Sequence, residues 1–334
     1  MEDKHLHILI CSDSKYLEYV AVVVASLFDS NKEFEKITIH LFYFGKDDEG
    51  QISLVRKYVP KAKGEVVVYD VSDLRQWLKA DVPETAGYIA ITSYARLFAA
   101  SILPSDVEKV LYIDCDTVIN GSVYGLWQTE LCRYAFAAVL DPLMNLNSKR
   151  LIGLSENEEY YNSGVLLINL SKWREFKLQD KFVRYLCAHN GKVYHDDQGV
   201  LNAVCHNDIL RLSPEYNLTS FYLSHSYKLL ARFNTPFYSQ KEICDAIANP
   251  VIIHFTEGFY CRPWVENSNH PFAPLFISAR AATAWNDIPL SKDRRSLPQK
   301  VMSWCFLKFP FPVYCFMSKL LSIGRSLAKL IKVS

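Results

Sequence analysis

Two carboxylates one residue apart, Asp114 and Asp116, follow the apolar run Val110-Leu111-Tyr112-Ile113. Such a run reads as a buried strand, and side chains alternate across a strand, so both acids would share one side while Cys115 turns away. Like charges held that close repel unless a cation sits between them. A divalent ion that favours oxygen ligands is the natural occupant, and diphosphate oxygens could complete its coordination. The bland reading of the same residues is a pair of exposed turn carboxylates, and on the metal reading too their replacement by Ala is expected to leave folding largely intact.

Elements on either side must position that pair. The first hundred residues alternate strand and helix patterns: strand at Leu6–Cys11, helix at Tyr16–Asn31, strand at Ile37–Phe44, helix at Asp47–Tyr58, strand at Glu65–Asp70. This alternation predicts an α/β fold with a mostly parallel sheet and helices on both faces. Ligands of such sheets bind beyond the carboxyl ends of the strands. Asp13, after the first strand, and Asp114/Asp116, after a later one, would both lie at that edge. Further on, Ala135–Leu140 reads as a strand ending at Asp141, and Val165–Asn169 as another. A helix from Trp173 to about His189 follows, then Asp196-Asp197-Gln198 opening a helical segment, and strands at Ile209–Leu212 and Val251–His254.

Composition excludes several classes. A chain of 334 residues that is 50% hydrophobic has enough apolar material for a full core. A net charge of +1 argues against nucleic acid as a partner, because a phosphate backbone demands surplus Lys and Arg. Nine cysteines without Cys-x-x-Cys spacing read as reduced thiols of a cytoplasmic protein, and the opening Met1-Glu2-Asp3-Lys4-His5 does not resemble a secretory leader. The longest apolar stretches are too short or too interrupted to span a bilayer.

The composition shifts near Pro289–Arg295, which divides the chain into a domain over 1–290 and a tail over 291–334. From Arg294 onward the sequence has no Asp or Glu and eight Lys and Arg, so without them the charge falls from +1 to about −7. On a helical wheel Phe316, Leu320, Ile323, Leu327, Leu330 and Ile331 share one face, with Ser318, Ser322, Arg325, Lys329 and Lys332 opposite. Trp304, Phe306, Phe309, Phe311 and Tyr314 precede them. The pattern suits an interfacial helix on an anionic membrane surface, and the plainer alternative is a terminal helix packed on the domain.

Five separated segments resemble glycosyltransferase family 8, and bacterial lipopolysaccharide galactosyl- and glucosyltransferases within it. They are Ile91-Thr92-Ser93-Tyr94-Ala95-Arg96-Leu97, Val110 to Asp116, Asn162-Ser163-Gly164 running on to Leu170, Asp197-Gln198-Gly199-Val200-Leu201-Asn202, and Ile253-His254-Phe255. The resemblance implies a GT-A fold, a UDP-hexose donor, a saccharide or glycolipid acceptor such as lipopolysaccharide core, and transfer with retention of anomeric configuration. It also implies Mn2+, with Mg2+ as the alternative ion, on Asp114, Asp116 and His254. Two carboxylates and one imidazole are a suitable donor set for such an ion.

The remaining site residues are carried over one by one. Arg96 would reach the donor sugar, its alternative being a surface ion pair. Asp13 would contact the nucleotide, cap the following helix, or both. Asn162, Asp197 and Gln198 match donor-sugar positions, with Asp197 accepting from hydroxyls and Gln198 near the anomeric centre. Asp141 fits beside the sugar or as a turn carboxylate before Pro142. The family closes on His, a nearby Gly and Lys-Pro-Trp. Here His254, Gly258 and Arg262-Pro263-Trp264 stand in that order, with Arg for Lys and a longer gap, and the Arg262 fork can still bind phosphate.

Gln198 is a poor nucleophile, so a front-face reaction, in which the departing diphosphate takes the acceptor proton, suits these residues better than double displacement. Two rival functions remain at this stage. Asp114-Cys115-Asp116 also resembles the strand motif of haloacid-dehalogenase-type phosphatases, with Asp196-Asp197 mimicking their later acidic pair. A nucleotide-sugar-binding protein without turnover is the other.

Overall fold

The computed structural model describes residues 4–45, 49–78, 92–233, 237–309 and Val313. Ten strands occur among them: β1 (His5–Asp13), β2 (Lys36–Phe44), β3 (Gly64–Asp70), β4 (Lys109–Ile113), β5 (Thr117–Ile119), β6 (Phe136–Leu140), β7 (Tyr161–Asn169), β8 (Ile209–Arg211), β9 (Leu218–Thr219) and β10 (Ile252–His254). The main sheet runs β3-β2-β1-β4-β7-β6-β8, and β5-β10-β9 form a small second sheet. In the main sheet only the two pairings of β7, with β4 and with β6, are antiparallel. The mostly parallel α/β expectation therefore holds.

The strands follow from their apolar content. Leu6, Ile8, Leu9 and Ile10 of β1 are fully buried, as expected of a central strand covered on both faces. The helix Leu17–Ser30 is rich in Val, which has only modest helix propensity, yet Val20, Val22, Val23 and Val24 are all fully buried. Packing against the sheet decides its conformation, at about 1.5–3 kcal/mol for each large apolar side chain removed from water. Its end is fixed by Asn31, whose Nδ2 donates to Leu27 O at 3.0 Å while its Oδ1 accepts from Val123 N at 2.7 Å.

Strand β1 has β2 on one side and β4 on the other, both parallel to it. Such a switch point opens a crevice at the strands' carboxyl ends. Asp13 ends β1, and Asp114 follows β4 directly.

The expected helix from Trp173 to His189 is instead two helices, Leu170–Glu175 and Leu178–Ala188. They part at Lys177, whose φ of 49° is left-handed and cannot continue a helix. Strands β5 and β9 were not foreseen, because three and two residues are too short to display alternation.

The segment after Pro289 packs on the domain. Ser291 N donates to Trp264 O at 3.0 Å, and Glu266 N donates to Ser291 O at 2.8 Å. The helix Leu297–Lys308 opens with a capping box between Ser296 and Gln299. It buries Cys305 and Phe306, and the Phe306 ring stacks on Phe259 with centroids 3.5 Å apart. Leu297, Val301 and Trp304 face outward and are exposed. The amphipathic run Phe316–Ile331, together with Ile91, Phe311 and Tyr314, lies outside the described residues. Among the described residues no helix is long and apolar enough to cross a membrane, and the eight described cysteines are free.

Candidate active site

Strand β4 ends at Ile113, so Asp114 and Asp116 stand on the turn into β5 rather than on alternate positions of a strand. They converge all the same. Asp114 N still donates to Gly164 O of β7 at 2.8 Å, and Cys115 turns inward, its Sγ 3.2 Å from Cys11 O. The antiparallel pairing of β10 with β5 sets His254 opposite Thr117, and Phe255 N donates to Asp116 O at 2.8 Å. One ligand atom from each of Asp114, Asp116 and His254 falls within 4.8 Å of the others.

His254 Nε2 lies 2.9 Å from Asp116 Oδ1 and 3.8 Å from Asp114 Oδ2. Its Nδ1 meets Asn217 Oδ1 at 2.9 Å, so the second nitrogen faces the acids. Gly164 lies flush beneath: a Cβ there would stand 2.2 Å from His254 Cε1 and 2.9 Å from Asp114 Oδ2. Two hard oxygen donors and one imidazole nitrogen, braced from behind, fit a divalent cation.

The acids are not exposed turn residues. Their side chains are 25% and 22% accessible, and each is paired with an arginine. Arg96 was placed in the sequence either at the donor or in a surface ion pair; it is buried, in the 3-10 helix Thr92–Phe98. It bridges Asp114 Oδ1 at 3.0 Å and Asp197 Oδ2 at 3.2 Å, and its Nη1 donates to Ser163 O at 2.6 Å. Burial alone would lower its pKa, but the charges of Asp114 and Asp197 outweigh that and raise it. Deleting Asp114 would leave this buried cation half-compensated. Breaking a buried pair costs about 3–5 kcal/mol, less where one partner is partly wetted, so Asp114→Ala is not silent for folding.

Arg262 donates to Asp116 Oδ2 at 2.7 Å and also to Phe255 O. Burial would raise the Asp116 pKa, yet His254 and Arg262 hold it below the usual carboxylate range. For His254 burial works downward and Asp116 upward, and the net direction is up. The sequence departure at Arg262 thus leaves a cation in contact with Asp116.

A second polar group adjoins the first. Asp141 Oδ2 accepts from Asn162 Nδ2 at 3.2 Å and from Gln198 Nε2 at 3.1 Å. Gln198 Oε1 accepts from Ser163 N at 3.0 Å. Asp197 is buried at the start of the helix Asp196–Cys205, with Ser163 Oγ 3.3 Å from its Oδ2. Desolvation, the largest influence, drives its pKa up to about 6 against the pull of Arg96.

A cleft of about 360 Å³ opens at the switch point, lined by Asp13, Arg96, Asp114, Asp116, His254 and Arg262, with Tyr16 and Trp264 on its walls. Asp13 also accepts from Lys15 N at 2.9 Å, so it caps the turn that follows β1 while lining the cleft. Asp141, Asn162, Asp197 and Gln198 belong to the adjoining network and do not line this cleft. Gly258 is exposed on the 255–264 loop, where a Cβ would sit 3.4 Å from the Phe221 ring, away from the acidic pair.

The family model described as glycosyl transferase family 8 matches residues 7–268. The chain belongs to glycosyltransferase family 8. It is similar to general stress protein A of Bacillus subtilis, 22% identical over 86% of this chain and 97% of that protein. It is also similar to a lipopolysaccharide 1,2-glucosyltransferase of Escherichia coli, 26% identical over 84% of this chain and 79% of that one. A solved structure of the galactosyltransferase LgtC, in complex with donor and acceptor sugar analogs, superposes with a TM-score of 0.67 at 22% identity. That likeness covers 84% of this chain and 96% of LgtC and assigns the GT-A fold.

Family 8 membership removes the phosphatase reading. Its acidic pair is also misplaced: Asp197 is held by Arg96, while Asp196 Oδ1 lies 3.4 Å from the Tyr94 hydroxyl. Sequence reasoning missed Asn217 and the reason for Gly164. Asn217 is fully buried at the end of the 3-10 helix Pro214–Asn217, and nothing in its local sequence announces a contact with His254. Gly164 was visible inside a family 8 segment, but the imidazole it accommodates comes from β10.

Proposed function

We propose that this chain is a retaining, metal-dependent hexosyltransferase that moves galactose or glucose from a UDP-sugar to a saccharide acceptor, lipopolysaccharide core or a related lipid-linked glycan. The observation that carries the reading is the convergence of Asp114, Asp116 and His254 in a cleft that also contains Arg96 and Arg262. A UDP leaving group bears at least two negative charges, and its departure needs positive charge in place. Asp114, Asp116 and His254 would hold Mn2+, with Mg2+ as the alternative, and the ion when bound supplies charge neutralisation at the diphosphate. Arg262 exchanges its Asp116 contact for a phosphate oxygen, which its fork suits. Asp13 meets the nucleotide, and Arg96 fixes the orientation of Asp114.

On the sugar side, Asn162, Asp141, Asp197 and Gln198 form the donor-sugar wall. Asp141 and Asp197 are both engaged by neighbours, which disfavours either as a covalent nucleophile. Front-face transfer fits better, with the departing diphosphate accepting the acceptor's proton and the Gln198 amide beside the anomeric centre. Catalytic roles fall to Gln198 and Asp197 as stabilisers of developing positive charge.

The domain over 1–290 would carry this chemistry, and the tail over 291–334 would hold it at the cytoplasmic face of the cell membrane. The outward Leu297, Val301 and Trp304, with a following sequence free of acids, support an anionic lipid surface as the tail's partner. Truncation after Lys308 combined with Trp304→Ser should release the protein from anionic vesicles while transfer to a soluble acceptor persists. The function itself is tested by incubating UDP-hexoses with Mn2+ and following UDP release and product anomeric configuration by NMR. Metal-dependent UDP release from UDP-galactose or UDP-glucose with an α-linked product is expected. Absence of release from every UDP-hexose, with and without acceptor, overturns the assignment and also favours the non-catalytic binding protein.

A further inference from the structure

We infer that Asn217 is a positioning residue that dictates which nitrogen of His254 faces the acidic pair. The assignment follows from a chain of hydrogen bonds that starts at an unambiguous donor. Amide oxygen and nitrogen are told apart by the network they join. A backbone N–H can only donate, and Gly164 N lies 2.9 Å from one end of the Asn162 amide, so that end is the oxygen. The other end is then the nitrogen, in keeping with its 3.2 Å contact to a carboxylate oxygen of Asp141.

The same Asn162 oxygen lies 2.8 Å from the Asn217 amide. Two oxygens cannot share a hydrogen bond without a hydrogen, so Asn217 presents its NH2 there and its oxygen to the imidazole. His254 Nδ1, 2.9 Å from that oxygen, must therefore carry the hydrogen. Nε2 is thereby the nitrogen turned toward the acids, 2.9 Å from Asp116 Oδ1, the position from which it would meet a bound cation once its own hydrogen is given up. Asn217 is 0% exposed, so no water competes for either of its contacts.

The chain also returns to its start. Gly164 O accepts from Asp114 N at 2.8 Å, and Gly164 has no Cβ to displace the imidazole. One backbone segment thus sets the position of Asp114 directly and the polarity of His254 through two amides. The proposed donor-sugar residue Asn162 and the metal-facing His254 become one mechanical unit, so reorientation of Asn162 is transmitted to the imidazole. Outer-sphere partners of this kind fix the tautomer and raise a ligand's metal affinity.

The experiment has two arms. In the metal-free wild-type protein, 15N-resolved NMR should show an exchange-protected hydrogen on His254 Nδ1, and Asn217→Leu, which retains bulk without polarity, should lose it. Calorimetry with Mn2+ alone should give a 10–100-fold weaker affinity for Asn217→Leu. Asn217→Gln, which keeps both polar ends on a longer stem, should recover part of that loss. The metal arm rests on the proposed function and the NMR arm does not. Wild-type protein that binds no Mn2+ counts against the metal reading, while a protected Nδ1 hydrogen would still support the relay. An unprotonated Nδ1 in the wild type overturns the inference even if the variants do not fold, as does a folded Asn217→Leu with wild-type Mn2+ affinity.

Discussion

At the β4 end of the site Asp114 and Asp116 meet Arg96, His254 and Arg262, so carboxylate charge is balanced by cationic groups drawn from two distant segments, the helix Thr92–Phe98 and β10 with the loop that follows it. At the β7 end Asp141, Asn162 and Gln198 are joined by amide hydrogen bonds around a single carboxylate. The two ends behave differently as a consequence. Where balance comes from cations, another cation can take over a contact without unsatisfying the acid, so the β4 end is suited to exchange its partners. Where balance comes from fixed amides, a change of partner strands a buried polar atom, so the β7 end is suited to hold a shape.

The largest expected effect comes from the exchangeable end. Asp116→Asn keeps shape and removes charge; UDP release with Mn2+ should fall on the order of 10²–10³-fold. A circular-dichroism melt checks that the fold survives, and retained turnover would break the distinction between the two ends. Gly164→Ala tests the floor beneath both. Its Cβ would need to stand 2.2 Å from His254 Cε1, and overpacking of this kind costs about 1–3 kcal/mol. Urea unfolding should register the loss, and calorimetry should show Mn2+ binding lost along with it.

A smaller effect is expected in pH dependence. The Asp197 carboxyl titrates near 6 in the fold because burial opposes its charge, against a reference value of 3.8. Below the lower value both states are protonated and Asp197 contributes nothing to the slope. Between the two the folded state retains a proton that the unfolded chain releases, so stability falls as pH rises, and above about 6 the full penalty is present. Asp197→Asn should flatten that part of the stability–pH curve measured by urea unfolding; an unchanged slope would show the Asp197 carboxyl to be wetter than its burial implies. The smallest effect belongs to Gly258→Ala. Its Cβ would make an ordinary 3.4 Å contact on an exposed loop, so stability should change by less than about 0.5 kcal/mol and turnover should stay near wild type.

Much of this was legible beforehand, and for local reasons. The strands β1, β2 and β3 and the helix Leu17–Ser30 were readable because buried elements carry continuous or periodic apolar residues over many positions. The acids, His254 and Arg262 were found through motifs whose order survives in sequence. The environment of each was less legible. Arg96 could be read as a surface ion pair because a charge in a short helix is most often solvated, and only the neighbouring β7 shows it to be buried. Asp114 and Asp116 could be read as exposed for the same reason. The break at Lys177 depends on one backbone angle that a lysine does not announce.

The sequence by itself determined the α/β alternation, the acidic couplet at a strand's end and the family to which the chain belongs, because each is written in residues close together or in motifs of fixed order. Tertiary structure alone decided that His254 stands beside Asp116, through the pairing of β10 with β5, and that Asn217 stands behind it. Asp116 and Arg262 are 146 positions apart, and no periodicity of one segment reports which distant segment will be its neighbour. That choice is made by the packing of whole strands, and the polar contacts follow from it.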